Sequence, residues 1–476
     1  MKEYSPSEIA EITNGAIVRQ GTDGLPVRRV VTDSRNIALG DLFVALTGEK
    51  YNGHDFVADA IAGGCKVICV SDSGKLPEGD YTVVLVEDTL DAYQKIAARA
   101  RQDSTYKVIA VTGSVGKTST REFIASALSE GTTVHKTSQN FNNEIGLPKT
   151  LIETPDNADF CVVELAMRAE GQIRELTLIA RPDIAVITNI GLAHVGILGS
   201  REAIFRAKTE IVEGLKPGGL VVLNCDDPML RRYAGKISGK YNTAVVYTGV
   251  MKDDLNASVI VRGYDIRSGA DHTLFSAEVY LNGRNFSMND LRIPAPGAHN
   301  ASNALLGIAA AVWSGAEPDG IRKGFGTYLA VGNRQRIINR NGITIIDDTY
   351  NAGPESMKAA INLLVSGNDK NRKIAVLGGM LELGDHSRKA HNDIGKFCAE
   401  KSIDLIFVQT PEGQWYKDGF LTADHSAEAS VRLFSCRDEL INDLENELCY
   451  GDKVLIKGSR GFKMEEITAR LVNNKE

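Results

Sequence analysis

The 476-residue sequence has no Cys-x-x-Cys pair, no apolar run of membrane-spanning length, no tandem repeat, no low-complexity segment and no excess of basic residues. Each absence removes a class of protein. Seven scattered cysteines (Cys65, Cys69, Cys161, Cys225, Cys398, Cys436 and Cys449) are an odd number and several sit in apolar runs. They read as buried free thiols of a reducing compartment, not as a zinc site or a disulfide framework. A net charge of -7 argues against a nucleic-acid-binding surface. Without a membrane-length run there is no expectation of membrane insertion. The N-terminus, MKEYSPSEIAEITNG, is polar and reads as a capped helix, not a secretion signal. A cytoplasmic protein is expected.

What is present is an ordinary globular balance, with 43% hydrophobic and 24% charged residues, over a length that suits three domains. Residues 1–104 alternate short strands and helices and end in the polar run Arg101–Thr105, which reads as a linker. Residues 105–331 repeat the β-α unit, with strands expected at Val108–Thr112, Phe160–Glu164, Ile184–Asn189 and Leu220–Leu223. Strand pairing around an Asn282-Gly283 turn follows, then a helix of small residues, Asn300–Val312. Residues 332–476 begin a third β-α series, with strands at Thr344–Asp347, Lys373–Leu377, Leu405–Val408 and Lys453–Ile456. Such alternation implies an α/β protein with parallel sheets covered on both faces.

The most informative stretch is VIAVTGSVGKTST. The apolar strand Val108–Val111 runs into Gly113-Ser114-Val115-Gly116-Lys117-Thr118-Ser119, and a helix follows. A glycine-rich turn of this kind presents backbone N–H groups and a helix N-terminus to a phosphate. Lys117 supplies a cation for the β/γ-phosphates, and the Thr118 hydroxyl can ligate Mg²⁺. The loop is one glycine shorter than the usual eight-residue pattern, because Val111 stands at the first glycine position. ATP or GTP is the expected ligand.

Ligands of open parallel sheets gather at the carboxyl ends of strands. Two further strands end in groups suited to Mg-ATP: CVVELAMR at Glu164 and AVITNIGLAH at His194. Alone, Glu164 is equally well a surface carboxylate and His194 a loop histidine; their placement at successive strand ends favours a shared site. Lys208 is, on composition, a plain helix lysine. Asn300 and Asn303 at the start of the small-residue helix either cap it or present an amide to a base. Asp347-Asp348-Thr349-Tyr350-Asn351 follows an apolar strand and reads as a site rather than a turn. Lys457 and Arg460, after the last strand, suit a carboxylate.

In order and over nearly the whole chain, these segments resemble the Mur ligases of peptidoglycan synthesis. Thr32-Asp33-Ser34-Arg35 with Gly40–Leu46 resembles the family's UDP-binding domain, implying contacts from Ser34, Arg35 and Thr47. TGSVGKTST resembles its short phosphate loop. Asn140–Pro148 resembles its substrate loop, implying contacts from Asn140, Asn142 and Asn143. Glu164 and His194 match Mg²⁺-contacting positions, and Lys208 matches a lysine that is carbamylated in the family and then serves as a metal ligand. Asn300 and Asn303 match its H-N-x-x-N-A segment.

DDTYNAGPESM and GGMLELGDHSRKAHNDIG resemble the branch that adds D-alanyl-D-alanine to UDP-N-acetylmuramoyl-tripeptide. The D-N-P-R tetrad of a sister branch is absent. The family more often has Asp at Gly379 and Asp-Gly at Asn52-Gly53, and ELAMRAEGQI departs from the E-L-G form of some members.

The resemblance implies a central ATPase domain between a UDP-substrate domain and a Rossmann-like acceptor domain. It implies amide formation through an acyl phosphate, with ATP and two Mg²⁺, in a monomer whose closure assembles the site. Lys117, Lys208 and His194 are the expected catalytic groups. Arg334, Asp348, Tyr350 and Asn351 are assigned to the nucleotide, and Lys457 and Arg460 to the acceptor. Cell-wall growth, cell shape and division follow as the process served. Three alternatives remain: a sister ligase adding one amino acid, a folate polyglutamate ligase, and a nucleotide-dependent switch. The Thr32–Leu46 segment disfavours the second, and the lack of an N-K-x-D motif disfavours a GTPase switch.

Overall fold

The computed structural model describes residues 1–48, 50–74, 76–249, 257–281, 283–367, 371–423 and 430–473. Its strands form three sheets, one after another along the chain.

The first sheet contains β1 (Ala16–Arg19), β2 (Arg29–Val31), β3 (Asp41–Val44), β4 (Val67–Val70) and β5 (Thr82–Leu85), in the order β1-β5-β4-β3-β2. All neighbours are parallel except β1 with β5. The first helix, Pro6–Thr13, is fixed by a capping box in which the Ser5 hydroxyl accepts from Glu8 N–H and the Glu8 carboxylate accepts from Ser5 N–H.

The central sheet has nine strands: β6 (Lys107–Thr112), β7 (Val134–Lys136), β8 (Phe160–Glu164), β9 (Ile184–Ile187), β10 (Leu220–Asn224), β11 (Asn242–Thr248), β12 (Val259–Ser268), β13 (Thr273–Leu281) and β14 (Arg284–Ile293). Their order is β14-β13-β12-β11-β10-β9-β6-β8-β7, parallel from β7 to β12 and antiparallel beyond. β6 has a core on each face. Val108 and Ala110 pack with Leu147, Cys161 and Leu165; Ile109 and Val111 pack with Phe123, Val186 and Ile308. Two-sided burial is why this strand reads as an unbroken apolar run, and each such side chain contributes about 1.5–3 kcal/mol.

The third sheet contains β15 (Arg336–Arg340), β16 (Ile343–Asp348), β17 (Lys373–Leu377), β18 (Leu405–Val408), β19 (Val431–Leu433) and β20 (Lys453–Lys457), ordered β15-β16-β20-β17-β18-β19. Only β15 runs antiparallel to its neighbour.

Several expectations need correction. The run 101–105 is not a free linker: helix Thr89–Asp103 takes up its first three residues, and Arg101 is 2% exposed. Its guanidinium donates to the carbonyls of Ala180, Arg181 and Tyr106 and to Asp183 Oδ2 at 2.8 Å, clamping the first unit to the central one. The paired segment before 293 has three strands, and Asn282 of the expected turn lies outside the described residues. Five cysteines are buried, but Cys436 and Cys449 are exposed. Among the described residues no helix is long and apolar enough to cross a membrane.

Candidate functional site

β6 lies between β8 and β9, so successive connections leave it in opposite directions. This is a topological switch point, where the crevice of an open sheet forms. The glycine turn emerges there. Gly113 and Gly116 have φ of 152° and 83°, and a Cβ at Gly113 would stand 1.8 Å from Thr188 Oγ1. Only glycine fits.

The turn is held from β9. Asn189 Oδ1 accepts from Val115 N–H at 3.1 Å, while Asn189 Nδ2 and Thr188 Oγ1 donate to Val115 O. Ser114 Oγ accepts from Gly191 N–H at 2.9 Å. Thr188 and Asn189 were not singled out in the sequence; their signal was position alone, at the end of AVITN.

Helix Lys117–Leu128 starts at the turn. The Lys117 ammonium donates to the carbonyls of Gly113 at 2.9 Å and Ser114 at 3.3 Å. Burial pushes its pKa down, with Glu164 opposing and Arg334 adding to the shift. Thr118 Oγ1 donates to Glu164 Oε2 at 2.8 Å, and Asn142 Nδ2 donates to Glu164 Oε1 at 2.9 Å. Thr118, Glu164 and Asn142 therefore meet. Ser119 is half-buried on the same turn, beside the cleft. Asn143 Oδ1 accepts from Gly146 N–H at 3.0 Å, and Asn140 is exposed.

Lys208, on helix Arg201–Thr209, is 2% exposed and has no carboxylate within 4.0 Å among the described residues. Burial, with the like charge of Lys117, holds its pKa well below the usual lysine range. His194 sits at φ 68° with Nδ1 2.6 Å from Glu382 Oε2 of the third unit. Burial lowers its pKa and Glu382 opposes the shift. The structure thus turns this His194 nitrogen toward the third unit.

The small-residue helix, Ala298–Trp313, brings Asn303 Oδ1 to 3.3 Å from Thr120 Oγ1. Asn300 Nδ2 donates to Pro296 O at 2.7 Å and to Gln335 Oε1 at 3.1 Å. Its amide thus bridges to the third unit instead of capping its helix. His299, not singled out in the sequence, accepts from Gln335 Nε2 at 2.8 Å.

From the third unit come Arg334, whose Cζ lies 3.6 Å from the centre of the Tyr350 ring, and Arg460, 5.6 Å from the same ring. Lys457 does not pair with Arg460 around a shared opening. It is 1% exposed, with Nζ 2.6 Å from Asp348 Oδ2 and 2.8 Å from Asn351 O. A cation placed after an apolar strand reads as exposed, but here Asp348 at the end of the neighbouring β16 engages it.

A cleft of about 510 Å³ joins these groups, lined by the glycine turn, Glu164, Asn300, Arg334, Tyr350 and Lys457 among others. Ser34, Arg35 and Thr47 lie elsewhere, on the first sheet. Arg35 pairs with Asp33 at 2.6 Å with 84% of its side chain exposed, and Thr47 Oγ1 lies 3.4 Å from Asn52 Oδ1.

A switch-point glycine turn with its lysine and helix N-terminus, facing groups from a further unit, is the architecture of a P-loop nucleotide-binding protein. Family models match three consecutive segments: "Mur ligase family, catalytic domain" at 26–101, "Mur ligase middle domain" at 111–311 and "Mur ligase, glutamate ligase domain" at 333–460. The UDP-N-acetylmuramoyl-tripeptide–D-alanyl-D-alanine ligase of Bacillus subtilis is 36% identical over 100% of this chain and 99% of its own. The crystal structure of MurF from Acinetobacter baumannii superposes with TM-score 0.87 at 29% identity, covering 100% of both chains. MurF ligase from Thermotoga maritima in complex with ADP gives 0.77 at 28% identity, over 93% of this chain and 96% of that one. The chain belongs to the Mur ligase family.

Proposed function

We propose that the protein joins D-alanyl-D-alanine to UDP-N-acetylmuramoyl-tripeptide at the expense of ATP, in peptidoglycan precursor synthesis. The observation that carries this is end-to-end similarity to ligases of that name, and the cleft supports it with phosphate-binding and carboxylate-bearing walls at one seam. Functionally the chain divides into 1–104 for the UDP substrate, 105–331 for ATP and 332–476 for the acceptor. It acts as a monomer in the cytoplasm.

The tripeptide carboxylate attacks the γ-phosphate to give an acyl phosphate; the dipeptide amine then displaces phosphate. Two anions must meet, so their repulsion has to be offset by fixed positive charge. Lys117 turns from its own loop carbonyls to the phosphates, and the Gly113–Ser119 backbone N–H groups complete the cradle.

Thr118 and Glu164 provide hard oxygen donors suited to Mg²⁺. Among the described residues no cluster of three His, Cys, Asp or Glu side chains could hold a metal alone, which suits an ion whose remaining ligands are phosphate oxygens and water. When bound, Mg²⁺ neutralises charge developing on the phosphates.

Lys208 fits carbamylation. Burial and the like charge of Lys117 favour the neutral form of this amine, and the neutral nitrogen is what adds to CO2. The C–N bond forms and a proton leaves to solvent, and the resulting carbamate anion would be a ligand for a second Mg²⁺. His194 is the fourth metal contact we assign, which would require it to exchange Glu382 for the ion.

The test is phosphate release from ATP with UDP-N-acetylmuramoyl-tripeptide, with and without D-alanyl-D-alanine. Release that depends on both supports the proposal; release that ignores the dipeptide overturns it.

A further inference from the structure

A second cavity, of about 160 Å³, opens beside the nucleotide cleft where the central and third units meet. Glu355 forms part of the wall of both. It stands in the first turn of helix Pro354–Leu364 and reaches across the seam, where its Oε1 accepts from Leu192 N–H at 3.0 Å. Gly191 leaves room for this reach: a Cβ there would lie 2.7 Å from the Glu355 carboxyl carbon. The other oxygen, Oε2, is buried and has no hydrogen-bond partner among the described residues. A carboxylate oxygen stripped of water and of donors is costly, so the position suits a ligand that brings N–H groups and positive charge.

One turn along the same helix is Lys358, whose ammonium has, among the described residues, no carboxylate within 4.0 Å and the Phe397 ring at 5.6 Å. Lys389, on the facing helix Ser387–Glu400, pairs with Asp393 at 2.9 Å. Leu192, Pro354 and Ile394 supply apolar wall. Residues three apart on a helix have Cβ atoms about 5–6 Å apart, and an extended dipeptide spans about 7 Å. A carboxylate at the cleft end and a free ammonium at the outer end thus match a small zwitterionic dipeptide in length and in charge order.

We propose that this cavity is the acceptor subsite. Glu355 holds the ammonium of the dipeptide at the edge of the cleft, Lys358 holds its terminal carboxylate, and the apolar wall takes its methyl groups. This rests on the ligase function proposed above and locates the acceptor away from Lys457, which Asp348 engages. Because Glu355 borders both cavities, the amine is presented at the end where the acyl phosphate forms.

The experiment measures KM for D-alanyl-D-alanine and for its C-terminal amide, with ATP and UDP-N-acetylmuramoyl-tripeptide saturating, in the wild type, Lys358→Met and Glu355→Gln. The wild type should prefer the free acid by about tenfold, the effect of roughly one lost charge contact. Lys358→Met should raise KM for the acid and bring the ratio close to one, leaving KM for ATP unchanged. Glu355→Gln should raise KM for both acceptors together. Lys358 is exposed, so its variant folds. A wild-type preference retained in Lys358→Met, or an unchanged dipeptide KM in Glu355→Gln, overturns the subsite while leaving the ligase function intact. No dipeptide-dependent turnover in the wild type overturns the function itself, and the subsite with it.

Discussion

The phosphate end of the central sheet and the Thr32–Leu46 edge of the first sheet differ in how their groups are held. At the first, polar side chains are tied to other elements, Thr118 and Asn142 to Glu164, Asn189 to Val115 and Asn303 to Thr120, and Lys117 is held by its own loop carbonyls. At the second, among the described residues Arg35 is bound to Asp33, two residues away, whose pKa that guanidinium's hydrogen bond pulls down to about 2. The first region is preorganised within one unit. In the proposed function the second is one wall of the UDP-substrate site, facing the central unit, whose Asn140–Pro148 loop is tied to the first unit by Gln94 Nε2 donating to Glu144 O at 3.1 Å.

This contrast predicts that substitutions at the phosphate end act on turnover, those at the seam on stability, and those at the open edge on one KM. The largest effect should follow Lys117→Ala, lowering kcat about 10²–10³-fold or more, as loss of a preorganised charge contact does, with the fold retained by circular dichroism.

Lys208→Met should also abolish steady-state turnover, without rescue by bicarbonate, yet stabilise the apo-protein. Burial lowers the Lys208 pKa, so between that lowered value and its ordinary 10.5 the unfolded chain binds a proton the folded chain does not. Folded-state stability therefore rises with pH across that window, and the cost is full below it. The variant removes this cost. Its melting temperature should rise by roughly 1–2 °C, as about 1 kcal/mol would give in a chain of this length, with the gain shrinking at alkaline pH. A variant no more stable than the wild type contradicts the neutral-amine argument.

Arg101→Ala should cost about 1–3 kcal/mol in urea unfolding, because it strips the carbonyls of Ala180, Arg181 and Tyr106 of their donor, with KM for ATP unmoved. The smallest effect on the whole molecule belongs to Arg35→Ala. Its stability should stay within about 0.5 kcal/mol of wild type, while KM for the UDP substrate rises and KM for ATP does not.

The same contrast explains what the sequence made legible. A phosphate site built on consecutive backbone groups appears as a contiguous motif, and the strand ends at Thr112, Glu164 and Ile187 do lie on neighbouring strands. Contacts between units leave no such trace. Arg101 looks like linker because charged residues usually face water; its burial depends on carbonyls some eighty positions away. The pairing of His194 with Glu382 and the ion pair of Lys457 with Asp348 are likewise set by how sheets meet. Among the strands, β1, β7, β15 and β19 escaped because edge strands are short and carry little apolar pattern; β11 is interior and buried, and its short Ala244–Val246 apolar run is hidden between polar flanks.

The most direct test of the whole account is the product mass from ATP and UDP-N-acetylmuramoyl-tripeptide offered D-alanyl-D-alanine and single amino acids together. The account predicts a product heavier by one dipeptide less one water, formed in step with phosphate release. A product heavier by a single amino acid, or phosphate release with no new amide, would contradict it.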